Sequence, residues 1–474
     1  MNEGELPESL NNSQADLIWY NSIGIEPPST PKPKQEKKQG TSNTETLMHI
    51  IKANIGTGVL AMPLAFKNGG LALSSISLWL MAFVCIHCMH ILLNCAKFVT
   101  ANMKEDIEEM LNKTVGYDDV VELILKNKCR KDSKWPGRFR FLTSLFIVIG
   151  QLGFCCVYLV FIPTNIKQII DFYYPSSGLS LEILMCITLL PLIFFCLIKD
   201  LKFLAPFSAI ANLLMIASLA VIIYGLFFDG PFKPIERLEL IAPYRNWPVY
   251  FSSAIYAFEG ISLVLPVYHE MKYKSNFNPW NGVLNTGMSL VSIMYFSIGF
   301  FGYLKYGSDS APSITLNLQT SNILYQIVKI LFTIAIFITY NLQFFVAADI
   351  IWTYVLRSSK YMQSLSTNSG SFANLTDSQA SDLNRSASKI YNLIHNVFRS
   401  SLVILTFLLA IKVPRIDLFI SLVGAIASST LALILPALLD LVAFWESTNR
   451  SLSILIKDLL IIIFGIYIFI AGTM

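Results

Sequence analysis

The chain has 474 residues, of which 54% are hydrophobic and only 14% charged. Soluble domains carry about 25% charged residues, so a water-soluble globular protein is excluded and lipid is the expected solvent. The formal net charge of +4 is too small to point to a nucleic-acid partner.

Residues 1–44 form a polar stretch with a Pro/Lys cluster at Pro31-Lys32-Pro33-Lys34. It has too little apolar surface to fold alone and reads as a disordered cytoplasmic tail, with no cleavable signal peptide. A membrane-spanning helix needs about 20 mostly apolar residues. Eleven such segments follow, at roughly 46–66, 71–97, 141–171, 179–198, 204–228, 249–270, 282–304, 321–356, 393–412, 415–442 and 453–473. Basic residues concentrate in alternate loops: Lys126, Lys128, Arg130, Lys131, Arg138 and Arg140 between spans 2 and 3, Lys199 and Lys202 after span 4, Lys272 and Lys274 after span 6. The positive-inside rule then puts the amino terminus in the cytoplasm. The carboxyl terminus lies outside or in a lumen. The glycosylation sequons at Asn11, Asn112, Asn374, Asn384 and Asn449 all fall on the cytoplasmic side of that arrangement. Loop 357–392, rich in Ser, Asn and Asp, reads as a flexible linker or a phosphorylated one.

Backbone polar groups in lipid must be satisfied internally, so an interrupted helix is tolerated only where it lines protein or water. Span 1 carries Asn54-Ile55-Gly56-Thr57-Gly58 with Pro63 beyond. Two readings fit it: close helix packing through small residues, or an unwound segment whose free amides and positive helix end meet a carboxylate. Span 6 carries Tyr256-Ala257-Phe258-Glu259-Gly260 with Pro266 beyond. Interruptions at matching places in two halves of a membrane protein mark a transport site. Spans 1 and 6 open two five-helix repeats, at about 45–228 and 249–442, and the last span, 453–473, is an addition.

Glu259 sits mid-span, where an ionisable group is costly and usually functional. It stays protonated, pairs with a cation or exchanges a proton; a carboxyl bridging the helix break for structural reasons is the alternative. His49 and Lys52 share a face of the first half-span, and histidine is the side chain suited to proton coupling near neutral pH; an interfacial place at the membrane mouth is the plainer reading of both. His87 and His90 in span 2 are weaker candidates of the same kind. Cys85 and Cys88 are spaced Cys-x-x-Cys but lack a second ligand pair, so buried thiols are a better reading than a zinc site. Tyr256 and Phe258 flank the break and are the aromatics placed to shape a pocket. No nucleophile–base or metal-ligand constellation stands out, so an enzyme is not expected.

The block Glu45-Thr46-Leu47-Met48-His49-Ile50-Ile51-Lys52-Ala53-Asn54-Ile55-Gly56-Thr57-Gly58, with Met62-Pro63-Leu64-Ala65-Phe66-Lys67-Asn68-Gly69-Gly70, resembles the first span of the proton-assisted amino-acid transporters, in the amino acid/auxin permease group. Further matches are His87-Cys88-Met89-His90, Gln151-Leu152-Gly153-Phe154-Cys155, Phe258-Glu259-Gly260 and Thr339-Tyr340-Asn341-Leu342-Gln343-Phe344. The resemblance runs from about residue 44 to the end. It implies an all-α integral membrane fold of the leucine-transporter type: a 5+5 inverted repeat plus one helix, with helices 1 and 6 broken. It implies symport of glycine, alanine or proline with protons, no cofactor beyond the coupling ion H+, and residence in the plasma membrane or a lysosome-like membrane. His49 takes the place of the histidine to which that family's proton coupling is assigned. The chain departs from the family at Ala53, at Pro163-Thr164-Asn165 and at Pro266-Val267-Tyr268-His269-Glu270, and the expected outer loops contain no Cys.

The expected substrate-binding residues are Asn54, Ile55, Gly56, Thr57, Gly58, Tyr256, Ala257, Phe258 and Gly260; the expected proton-coupling residues are His49 and Glu259. Two competing functions remain: an amino-acid sensor with little flux, and a sodium-coupled or facilitative carrier.

Overall fold

A computed structural model of the chain describes residues 40–102, 116–130, 133–176, 178–199, 201–258, 260–358, 378–445 and 452–474. Glu259, the expected tail up to residue 39, and the sequons Asn11, Asn112, Asn374 and Asn449 lie outside the described residues.

The first span is two helices, α1 (Asn43–Asn54) and α2 (Thr57–Gly69), set at 51° to one another. The sequence places the start of the folded body at residue 45; the structure places it earlier. Ser42 caps α1 in a reciprocal pair with Glu45, and the Thr41 amide donates to the Glu270 carbonyl at 2.8 Å. Span 2 is α3 (Leu71–Asn102). The basic loop after it contains an unexpected helix, α4 (Tyr117–Lys128). Its Tyr117, Val120, Val121 and Ile124 are buried, a stripe at helical spacing. Arg140 ties it down, contacting Asp119 and Glu122 at 2.7 Å and Asp118 at 3.3 Å. Burial works to raise the Glu122 pKa, but hydrogen bonds from Lys126 and Arg140 outweigh it and hold the carboxyl below its usual range.

Spans 3, 4 and 5 are α5 (Trp135–Tyr173), α6 (Leu181–Cys196) and α7 (Leu201–Phe228). Span 6 is again two helices, α8 (Trp247–Ala257) and α9 (Ile261–Glu270). Then come α10 (Val283–Tyr306), the short α11 (Ile314–Asn317) and α12 (Ile323–Ser358). Span 9 lies in α13 (Ser378–Lys412), so part of the expected linker is helical. The extension rests on Trp352 of α12, which donates to the Tyr391 hydroxyl at 3.0 Å and stacks on His395 at 4.4 Å. Span 10 starts as α14 (Ile416–Val423), widens into π-helix over Gly424–Ser428 and Thr430–Ile434, and ends as α15 (Leu435–Ala443). The Tyr117 hydroxyl donates to the Leu431 carbonyl in the second π stretch at 2.9 Å. Span 11 is α16 (Leu452–Thr473).

Among the described residues nine helices are long and apolar enough to cross a membrane, and the bent pair α1–α2 makes a tenth. The expected fourth span is the exception. At 16 residues, α6 reaches only about 24 Å at 1.5 Å per residue, against about 30 Å of hydrocarbon. Its last carbonyls lack i+4 helical donors; the Leu197 and Ile198 amides reach Phe194 O and Phe195 O at 3.3 Å, and two neighbouring helices supply further donors. Asn341 of α12 donates to Phe195 O at 2.9 Å. Arg399 of α13 donates to Cys196 O at 2.6 Å and Ile198 O at 3.2 Å. Arg399 is only 2% exposed and also lies over the Phe344 ring, so its charge is held by a negative helix end and an aromatic face.

The core brings α2 against α8 and α10, and α5 against α12. Glycines permit the first two contacts. A Cβ on Gly58 would stand 2.9 Å from Ala257 Cα, and one on Gly302 would stand 2.5 Å from the Pro63 ring.

Replacing Arg399 with Ala removes two charge-assisted hydrogen bonds and orphans the end of α6. A loss of about 3–5 kcal/mol is expected, measured as a lower unfolding temperature in detergent. An unchanged temperature would mean α6 is held by packing alone.

Candidate functional site

At the first break, Ile55 is extended and Gly56 follows at φ −165°, ψ −150° before α2 begins. The first four amides of a helix have no acceptor within it, and among the described residues no side chain caps this one. Those of residues 56–59 therefore gather the positive end of α2. Gly56 is only half-buried. A Cβ there would meet nothing closer than the Tyr158 hydroxyl at 3.8 Å, so the chain leaves open space beside the amides.

The second break lies across from the first. The Thr57 hydroxyl and the Tyr256 hydroxyl are hydrogen-bonded at 2.9 Å, both buried. Gly58 packs on Ala257. The Asn54 side chain lies over Gly260, where a Cβ would stand 2.5 Å from its amide nitrogen. Asn54 Nδ2 donates back to Ile50 O at 2.9 Å, while its buried Oδ1 has no hydrogen-bond partner among the described residues. Phe154 lies 4.8 Å from Tyr256 and 6.5 Å from Tyr158, ring to ring, completing an aromatic wall.

The breaks are joined by Tyr295 of α10. Its buried hydroxyl faces the Asn54 carbonyl, the last of α1, and the Ala257 carbonyl, the last of α8, the latter at 2.7 Å. Its ring meets Phe258 edge-on at 5.1 Å. Two negative helix ends thus share one proton donor, and the positive end of α2 faces the gap beside them. The arrangement turns amides toward an anion and carbonyls toward a cation at the same break.

Asn54, Gly56, Thr57, Gly58, Tyr256, Ala257, Phe258 and Gly260 are therefore gathered at one place. Ile55 is buried there as part of the linker. His49 is not: it is exposed on α1, five residues before Asn54 and about 7.5 Å along the axis. Tyr295 and Tyr158 escape a reading of the sequence, since each is one Tyr among 20 with no polar neighbour to mark it.

Tyr295→Phe keeps the ring and removes the hydroxyl, leaving two buried carbonyls facing each other. A cost of about 1–3 kcal/mol is expected, read as a lower unfolding temperature together with impaired flux; a variant equal to wild type in both would show that the bridge is idle. Gly260→Ala sets a Cβ into the Asn54 amide and should cut flux more than it cuts membrane insertion, with fluorescence-detected chromatography as the control. Full flux at normal expression would contradict that geometry.

The chain is similar to known proteins. The family model for transmembrane amino acid transporter proteins matches residues 39–474. The chain is 34% identical over 438 residues to "Proton-coupled amino acid transporter-like protein pathetic" of Drosophila melanogaster, covering 91% of this chain and 84% of that one. It is 26% identical to "Vacuolar amino acid transporter 3" of Saccharomyces cerevisiae, covering 90% of this chain and 55% of that one. Among solved structures, MhsT in complex with L-phenylalanine aligns over 93% of this chain at TM-score 0.44 and 14% identity. A Na+-coupled sialic acid symporter aligns over 98% at TM-score 0.40 and 13% identity. The family match covers both breaks and every helix described, and the chain belongs to the transmembrane amino acid transporter family, whose members are transporters rather than enzymes.

Proposed function

We propose that the chain is a secondary active symporter that carries small neutral amino acids, of the glycine, alanine and proline type, together with protons. The carrying observation is the uncapped start of α2 beside the second break. The amides of residues 56–59 take the substrate carboxylate, and the carbonyl ends of α1 and α8 draw its ammonium group. The aromatic wall of Phe154, Tyr158 and Tyr256 limits the side chain to a small one. Asn54, with an unused buried Oδ1, is a further acceptor for the ammonium.

One line supports protons over sodium: a relative at 34% identity is named proton-coupled. Glu259, between Phe258 and Gly260, and His49 are the proposed proton-linked residues. The amino terminus is cytoplasmic in this reading and the carboxyl terminus extracellular or lumenal, in a plasma, lysosomal or vacuolar membrane.

Reconstituted protein should take up labelled alanine or proline faster with acid outside than at equal pH, with no requirement for sodium. Uptake that ignores the proton gradient would refute the coupling; binding without flux would favour a sensor. Glu259→Gln should abolish the gradient's effect while exchange at equal pH persists. A pH response like the wild type's would remove Glu259 from the mechanism.

A further inference from the structure

We propose that the buried ammonium of Lys329, near the start of α12, is a capture site for the carboxylate of the incoming substrate, and that the loop containing α11 occupies it between turnovers. The inference rests on the amino-acid substrate of the reading above and not on its coupling to protons.

Lys329 carries its charge inside a span and is 0% exposed. Its three N–H groups find two acceptors among the described residues, Leu318 O at 3.1 Å and the Thr320 hydroxyl at 2.7 Å. Both are neutral, and both belong to the loop between α10 and α12. No acidic side chain among the described residues acts on it. Asp171 and Asp309, at the same end of the bundle, are held by Lys167 and Lys233 at 2.7 Å each, and Asp229 accepts from the Tyr325 hydroxyl. A buried charge is ordinarily paired with an opposite one. An ionisable group at membrane depth without its counter-ion marks a function.

The loop covers the way to the helix breaks. α11 rests on α2, α5 and α12 at once. Its Ile314 is buried against α10, where a Cβ on Gly302 would stand 3.4 Å from the Ile314 side chain. Of these helices, α2 starts at the first break and α5 carries Tyr158 beside it. Gln168, further along α5 and about 15 Å beyond Tyr158 at 1.5 Å per residue, donates to Leu316 O at 3.1 Å. Gln326 of α12 donates to Thr320 O at 2.7 Å and accepts from the Tyr173 hydroxyl of α5 at 2.8 Å. Lys329 therefore lies beneath this cover, on the route to the breaks from the side that is outside or lumenal in the orientation proposed above.

A carrier must lift this loop to load its cargo, and lifting it takes both acceptors from Lys329. The ammonium is then left needing an anion. An α-amino acid brings a carboxylate, and a charge-assisted pair is stronger than either neutral bond the loop offers. Bound carboxylate holds the loop open. Return of Leu318 O and Thr320 Oγ1 to the ammonium displaces that carboxylate inward, toward the amides at the start of α2. A cargo without a carboxylate gains nothing at Lys329, and a further positive charge on its side chain is repelled there. Lys329 thus selects at the entrance, before the breaks read the side chain.

The test uses the full chain in proteoliposomes, with Ile314→Cys as a reporter and the accessible Cys129 and Cys186 changed to Ser. Labelling by an impermeant maleimide is followed with propionate, which is alanine without its amine, and with ethylamine, which is alanine without its carboxylate. Propionate should speed labelling and ethylamine should not, and Lys329→Gln should abolish the difference. Lys329→Gln should also raise the half-saturating alanine concentration about tenfold, the worth of one charge-assisted bond. Thr320→Val removes a competitor for the ammonium and should lower that concentration. A lysine that merely latched the loop would make both variants shift it the same way, and that result would overturn the site. So would labelling of the reporter chain that ignores propionate, a measurement that needs no change at Lys329 and stands even where Lys329→Gln does not fold. If propionate opens the loop through Lys329 but alanine and proline are not carried, this site stands and the proposed substrate range falls.

Discussion

The fold depends on how two broken helices end inside a medium without water. Each break exposes carbonyls that a continuous helix would have satisfied, and in hydrocarbon each unsatisfied group costs several kcal/mol. One phenol answers both: the Tyr295 hydroxyl lies between the Asn54 and Ala257 carbonyls. Because that hydroxyl belongs to α10, the two breaks and the following span are joined at one point. Among the described residues the amides on the other side of the first break receive no such side-chain partner, and that asymmetry makes a site rather than a packing defect.

The surrounding contacts make the breaks possible. Gly58 and Gly260 let α2 and Asn54 approach the second break to distances that any Cβ would forbid. Gly424 does the same where span 10 crosses α8, since its Cβ would stand on the Ser252 carbonyl. The widened turns of span 10 follow directly and borrow a donor from Tyr117 of the connecting helix. Short α6 obeys the same rule at its exposed end, capped by Asn341 and Arg399. At each of these carbonyl ends, a polar backbone group left by one element is met by a side chain from another.

Spans and breaks were legible in the sequence because lipid forces a coarse signal: long apolar runs, and glycine pairs with a following proline at Gly56–Pro63 and Gly260–Pro266. The family resemblance added the pairing of the two breaks with an amino-acid ligand. The α4 helix carried a readable stripe at Tyr117, Val120, Val121 and Ile124, but the charges around it masked the pattern. Tyr295 and the Arg399 cap were not readable, since each joins residues far apart in the chain with no local periodicity to betray the contact. His49 shows the opposite limit: a residue marked by its motif stands on the exposed side of α1, away from the break residues.

The most direct test of the central claim is a structure of the protein with alanine or proline bound. The account predicts the substrate carboxylate within hydrogen-bonding distance of the amides of Thr57, Gly58 and Val59, with its ammonium group toward Asn54 and the carbonyl end of α8. A substrate bound elsewhere, or one with its carboxylate turned away from the start of α2, would contradict it.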